Sequence, residues 1–298
     1  SLMERSMESL RAISVVDGRY AKLADELRDI FSEYGLIKHR VFVEVEWLKF
    51  LVREIGVTSL RESEFDKIDS IARGFNTESA YMVKDEEKTT NHDVKAVEYY
   101  IKKQLDNLSL SEIREWVHFS CTSEDISNTA YALMIKKGKE IIENQLTELL
   151  KTIEKHGYEF KNVPMMARTH GQPATPTTVG KEFINYAWRI RRELKILKSI
   201  KCEAKINGAV GNYNAHYFVF DNIDWIEMGK KFVGENLGVT PLFYTTQINP
   251  YNYISEILHA LTRIAAIVVD LDRDMWGYIS FGYFEQKLKE GEVGSSTM

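Results

Sequence analysis

Proline is scarce in this chain, with five in 298 residues and none before Pro164. Proline lacks the N–H that a helix interior uses and its ring clashes with the preceding turn. A first half without it, rich in Glu, Lys, Leu and Ile, therefore reads as helices joined by polar turns. Cysteine is nearly absent, and Cys121 and Cys202 stand in unrelated contexts. That excludes a disulfide framework and a thiolate metal centre, and both are expected to be free thiols in a reducing compartment. The longest apolar run, around residues 264–270, falls far short of the roughly 20 residues that span a bilayer. No export pattern opens the chain, so a cytoplasmic location without membrane contact is expected. An excess of positive charge is also missing, since the formal net charge is -5, which argues against a nucleic-acid partner. No fixed-period repeat or low-complexity segment is present. What is there, 44% apolar and 28% charged residues, has the composition of a globular protein.

The opening Ser-Leu-Met reads as a remnant ahead of a native Met start, and residues 1–9 are set aside as that or as a disordered start. A helix is expected from about Ser32 to Glu54, with Tyr34, Ile37, Val41, Val45, Leu48 and Leu51 on one face and Gly56 as its stop. A weaker helical pattern covers about Glu62 to Phe75. Three longer stripes follow, and each predicts a helix of roughly thirty residues. The first runs from Ile135 through Leu146 to Ile153. The second runs from Phe183 through Ile190 to Leu197, ending in the glycines of Asn207–His216. The third runs from Ile257 through Leu271 to Tyr278. Helices with such seams pack side by side, and an apolar stripe alone says nothing of chemistry.

Polar clusters at the ends of these helices carry the functional signal. Asp17-Gly18 is a turn in which Gly18 can take a positive φ and aim Arg19 and Tyr20. The pair suits an anion, through a planar fork and a neutral donor, although a plain surface turn has the same sequence. Thr90, Asn91 or Asp93 can cap the helix that carries Val94, Val97, Ile101 and Leu105. This sets Asn91, His92 and Asp93 at a helix N-terminus, where an anion is favoured, with Lys95 on the face of His92. Thr122, Ser123 and Asp125 similarly cap the first long stripe. His118 can face either the core or the site, and is read as an ordinary histidine. The Gly-rich run Asn207–His216, which includes Asn212, has the freedom of a binding loop, and a helix cap followed by a turn fits it equally. Arg168-Thr-His-Gly-Gln-Pro-Ala-Thr-Pro176 reads as a rigid loop presenting one titratable imidazole, His170, at the mouth of a long helix.

Four of these stretches together resemble one family. Thr-Thr-Asn-His-Asp-Val-Lys-Ala, Thr-Ser-Glu-Asp, Thr-His-Gly-Gln-Pro-Ala-Thr-Pro and the final Gly-Ser-Ser-Thr-Met occur in the order and approximate spacing of the adenylosuccinate lyases. These form part of the fumarase/aspartase superfamily, and the likeness is to the bacterial purine-biosynthetic branch over residues 10–298. An argininosuccinate lyase would carry an Arg-Ser-Arg-Asn-Asp type run at Thr122–Asp125. A fumarase or aspartase would have Ser-Ser-Asn-Asp there and Thr-His-Leu-Gln at Thr169–Gln172.

The resemblance implies an all-α fold: an elongated central bundle of long helices (119–298) with a smaller, mainly helical N-terminal domain (10–118). It implies cofactor-free and metal-free β-elimination of fumarate from adenylosuccinate and from the succinylated carboxamide ribotide of the purine pathway. His170 matches the family's general acid and Ser295, with Ser296 as fallback, its base. Arg19, Tyr20, Asn91, His92, Asp93, Thr122, Ser123 and Gln247 match substrate contacts, and Lys95, Gln172 and Asn212 are further candidates in the same motifs. A homotetramer with sites shared between subunits is implied as well. In the family the Gly-Ser-Ser loop continues through a Met-Pro-His-Lys-x-Asn-Pro run into two more helices and a small domain, which this sequence lacks. Little activity is expected of these 298 residues alone. A non-catalytic helical oligomer and a nucleotide-binding remnant are the alternatives.

Overall fold

The computed structural model of the chain describes residues 9–287 and 289–291, and these are predominantly helical. Its contacts fall into two units, one running up to Glu140 and including Lys201–Tyr253, the other comprising Ile141–Ile200 and the chain from Ile254 onwards.

The first unit opens with α1 (Ala21–Phe31), α2 (Glu33–Phe50), α3 (Glu62–Arg73), α4 (Thr77–Thr90) and α5 (Asp93–Asn107). The stripe expected for α2 is buried: Ile37, Val41, Val45 and Leu48 pack with Ile68 and Ile71 of α3 and with Val97, Ile101 and Leu105 of α5, and His39, Arg40, Val43 and Glu44 on its other sides are buried too. Burial of each such side chain stabilises the fold by roughly 1.5–3 kcal/mol. Ser32 caps α2 by accepting from Gly35 N at 3.1 Å, and a π turn over Leu51–Ile55 ends at Gly56, whose φ is 77°. On another side of α2, Trp47 and Phe50 meet Phe232 in edge-on contacts.

The helix α4 has no counterpart in the sequence reading, because only Ala80 and Val83 of its fourteen residues are buried. Gly18 differs too. It does not adopt a positive φ; its close neighbours explain the glycine instead, since a Cβ there would lie 3.1 Å from Ser9 O and 3.3 Å from Ser14 O.

The long helix α6 (Ser123–Glu159) begins in the first unit and has 37 residues. In the second unit it is followed by a hairpin of β1 (Pro164–Thr169) and β2 (Gln172–Thr178), then α7 (Val179–Ser199). α7 has 21 residues and stops well before Asn207. Past Ile200, which is extended, residues Glu203–Ala204 (β3) pair in parallel with Thr240–Pro241 (β4) in the first unit, and this pairing ends the helical run. The first unit also holds the short α8 (Asn214–Val219) and α9 (Trp225–Lys230).

The last helix, α10 (Asn252–Ser280), has 29 residues. Ala187, Ile190, Leu194 and Leu197 of α7 are buried, as are Leu146 and Ile153 of α6 and Ile257, Ile264 and Leu271 of α10. Arg189–Asp270 at 2.8 Å, Arg263–Glu193 at 2.8 Å and Tyr278–Glu182 at 3.0 Å lace α7 to α10. Among the described residues no helix is long and apolar enough to cross a membrane.

Candidate functional site

The stretch around His170 is a hairpin, not an irregular loop. Thr169 pairs with Gln172, leaving His170 and Gly171 as the two turn residues with φ of 51° and 73°. Two successive positive φ angles suit the right-handed twist of the flanking strands, as in a type I′ turn. Glycine takes that region freely, and histidine is one of the few other residues enriched there. His170 is thus exposed at the hairpin tip, and its ring has no hydrogen bond to a described residue. Arg168 holds the tip: Nη1 donates to Gly171 O at 3.2 Å and Nε donates to Tyr283 OH at 2.9 Å. The guanidinium also lies 5.1 Å from the Phe281 ring centroid, and Tyr283 OH donates to Met166 O at 3.3 Å. Gln172 is exposed in the same turn. Ser295 and Ser296 lie outside the described residues.

At the junction of α4 and α5, the cap is His92 itself, not Thr90, Asn91 or Asp93. Its Nδ1 accepts from Lys95 N at 3.1 Å, which in the neutral ring places the proton on Nε2. The side chain is 50% exposed. Asn91 has a φ of 51° and closes α4, so the chain reverses within two residues and turns His92 outward. Thr90 Oγ1 braces the turn by accepting from His92 N at 3.3 Å. Asp93 pairs with the buried Arg40 at 2.9 Å. Burial opposes its charged form, but Arg40 and the Val94 N–H outweigh that and lower its pKa. Lys95 is engaged with Glu98 at 3.1 Å.

At the start of α6, Thr122 and Ser123 stand over a buried polar network. Asp125 Oδ2 accepts from Thr122 N at 3.0 Å, one half of a capping box, while Asp125 N donates to the Thr122 backbone carbonyl at 3.0 Å. This frees the Thr122 hydroxyl, whose oxygen accepts from Gln247 Nε2 at 3.3 Å. Beneath them Lys205 Nζ reaches Asp125 Oδ1 at 2.6 Å, Gly208 O at 2.9 Å and Gln247 O at 2.8 Å. Burial raises the Asp125 pKa, against the opposing pull of Lys205. Gly211, with φ of 82°, allows the adjoining turn to touch Thr245: a Cβ there would lie 2.0 Å from Thr245 O. So Thr122 and Gln247, 125 residues apart in sequence, meet at one surface, with Ser123 next to Thr122 in the chain.

Asn212 borders a neighbouring cleft of about 480 Å³ lined with Tyr213, Tyr217, Ile226, Phe243 and Tyr244. Arg19 and Tyr20 form their own pair, the guanidinium 5.8 Å from the ring centroid. Their turn is fixed by the Arg28–Asp17 bridge at 2.6 Å, and no hydrogen bond joins them to the other candidates among the described residues.

Two residues that support this surface from below carry no sequence signal. Lys205 sits in a short extended run that resembles surface, and no local signal marks its burial. His118, read as ordinary, has a φ of 63°, and its Nδ1 lies 2.5 Å from Glu44 Oε1. Burial lowers its pKa, but the charge and hydrogen bond of Glu44 prevail and raise it. With Trp47 Nε1 donating to Phe119 O at 3.0 Å, this pair anchors the strained turn that leads to Thr122. Among the described residues no cluster of three or more His, Cys, Asp or Glu side chains could hold a metal ion.

With this geometry in hand, comparison places the chain among known proteins. A family model described as lyase matches residues 18–298. Adenylosuccinate lyase from Vibrio cholerae serotype O1 is 45% identical over 299 residues, covering 98% of this chain and 65% of the relative. Adenylosuccinate lyase from Escherichia coli is 45% identical over 297 residues with the same coverage. The chain therefore spans about 65% of the length of these curated relatives. Among solved structures, a fumarate lyase from Mesorhizobium sp. BNC1 superposes with a TM-score of 0.69 at 19% identity, covering 86% of this chain and 57% of that one. The beta-carboxy-cis,cis-muconate cycloisomerase of Acinetobacter calcoaceticus gives 0.70 at 22% identity, covering 88% and 59%. At such identities these structures speak to the fold alone.

Proposed function

This chain belongs to the lyase family, and on that premise we propose that it carries the chemistry of an adenylosuccinate lyase. The reaction is β-elimination of fumarate from a succinyl group on nitrogen, giving AMP from adenylosuccinate and the free carboxamide from its ribotide counterpart in purine synthesis. One observation carries the reading: His170 stands bare at the tip of a hairpin braced on both sides by Arg168. The named relatives support it from outside the structure.

The chemistry needs three things. A base removes the proton from the carbon beside a carboxylate, leaving an aci-carboxylate. Donors stabilise that charge, and an acid protonates the departing nitrogen as the C–N bond breaks. His170 is assigned the last role, since an imidazole can donate near neutral pH. Ser295 is assigned as base, with Ser296 as fallback; a serine hydroxyl can serve only where nearby positive charge favours its alkoxide. Thr122, Ser123 and Gln247 would receive the succinyl carboxylates, helped by the N-terminus of α6. Arg19, Tyr20, Asn91, His92 and Asp93 would hold the phosphate and ribose end, with the Nε2–H of His92 facing out to donate. Lys95, Gln172 and Asn212 are further candidates for substrate contact. The reading requires no cofactor.

The same reading includes an N-terminal domain over 10–118, a bundle domain from 119, a cytoplasmic home and a homotetramer with sites shared between subunits. Apolar side chains left uncovered in the second unit support assembly: Trp188 is 70% and Trp276 73% exposed, and Leu258 lies in the open as well.

A substrate panel tests the proposal. The chain, extended to the length of its relatives, should release fumarate from adenylosuccinate and none from argininosuccinate or malate. Binding without release would favour a nucleotide-binding remnant. Neither binding nor release, with assembly intact, would favour a helical scaffold.

A further inference from the structure

Lys205 is a fully buried charge that the proposed chemistry leaves unused; it has 0% relative exposure, as does its partner Asp125. Taking two such ions out of water costs several kcal/mol each, and well-packed apolar residues often stabilise a core equally well. The pair's stability value is therefore a weak reason for it, and its geometry a stronger one. The ammonium has three donors, and three oxygens meet it: Asp125 Oδ1 at 2.6 Å, Gly208 O at 2.9 Å and Gln247 O at 2.8 Å. Lys205's own backbone is held on both sides by Asn128, whose Oδ1 accepts from Lys205 N and whose Nδ2 donates to Lys205 O, each at 2.9 Å. Asn249, two residues beyond Gln247, donates to the same Asn128 Oδ1 at 3.1 Å. Asp125 passes the constraint on through Oδ2, which receives Thr122 N at 3.0 Å and Gly208 N at 3.2 Å.

We infer that Lys205 is a positioning residue: through Asp125 on one side and the Gln247 carbonyl on the other, it sets the separation of Thr122 and Gln247 that receives a dicarboxylate. This rests on the adenylosuccinate lyase reading. Lys205 never touches substrate. It fixes two surface groups from below, beside a turn in which Gly211 approaches Thr245 too closely for a Cβ.

The test uses K205M, which keeps the stem and removes the charge, in a chain extended to the relatives' length. KM for adenylosuccinate should rise about tenfold or more while kcat stays within about threefold, because binding geometry and not proton transfer is disturbed. D125N, a gentler isosteric change, should shift KM in the same direction by less. In a double-mutant cycle with Q247A, the two KM effects should be less than multiplicative, since each removes the same placement. A merely structural role would leave them multiplicative. An unchanged KM in folded K205M, multiplicative effects in the cycle, or failure of both K205M and D125N to fold would each overturn the inference. Wild-type chain that releases no fumarate from adenylosuccinate would overturn the underlying reading with it; active wild type beside indifferent variants would overturn the inference alone.

Discussion

His216 lies fully buried among Trp47, Phe119, Tyr213 and Trp225, and neither ring nitrogen has a hydrogen-bond partner among the described residues. Burial, aided by the charge of Lys205, holds its pKa down at about 4. An unfolded chain protonates histidine near 6.5, so between about pH 6.5 and 4 the unfolded state binds more protons, and stability is lost as the pH is lowered through that window. His39 acts in the same sense. Burial brings its pKa to about 4, with Nδ1 donating to Gly35 O at 2.6 Å and Lys137 Nζ donating to Nε2 at 3.0 Å. His118 acts in the opposite sense, its pairing with Glu44 being fully present at low pH and lost as pH rises through its raised pKa. His216→Phe suits the aromatic surroundings and should flatten the acid side of the stability curve by up to about 3 kcal/mol. Urea midpoints at pH 7 and pH 4.5 measure this; an equally steep loss in the variant would contradict it. Burial of this kind is invisible in sequence, where His216, after the glycines of its loop, and His170, before Gly171, are each a lone histidine in a polar stretch.

At the scale of elements, glycine positions separate two physical costs. Gly56 ends α2 with a φ of 77° and open space around it, whereas Gly211 combines a φ of 82° with Thr245 O only 2.0 Å from a Cβ position. Gly56→Ala should cost about 1 kcal/mol, through backbone conformation alone. Gly211→Ala should cost about 3 kcal/mol or more, since the turn under Gln247 must also move. Equal denaturation midpoints for the two variants would show that the Gly211 turn is not tightly packed.

The helices were legible where one face repeats, as in α2, α6 and α10, because burial imposes the period directly. α4 was not legible, for it buries little and carries no stripe. The end of α7 was missed because Lys198-Ser-Ile-Lys201 has helical character, and pairing with Thr240–Pro241, remote in sequence, stops it. The hairpin was missed because Pro173 and Pro176 read as loop. A two-stranded ribbon has open edges where proline's missing N–H is tolerated, and an irregularity between Met166 and Arg168 absorbs the misfit.

For the whole molecule, the candidate residues were found in sequence as motifs, yet sequence did not say which lie together. Thr122 and Gln247 meet in one unit, while His170 belongs to the other. The long charged network beneath Thr122 explains that meeting, and it is assembled from three segments that no local pattern links. His92 took the capping role for which its neighbours were better suited by type, because Asn91 reverses the chain just before it. The role of His170 is tested most directly by ultraviolet-monitored conversion of adenylosuccinate by a chain extended to the relatives' length, wild type against His170→Ala. The variant should show a fall in kcat of about 10²–10⁴-fold, the usual worth of a general acid, with KM little changed. Conversion by His170→Ala at near wild-type rate would contradict it.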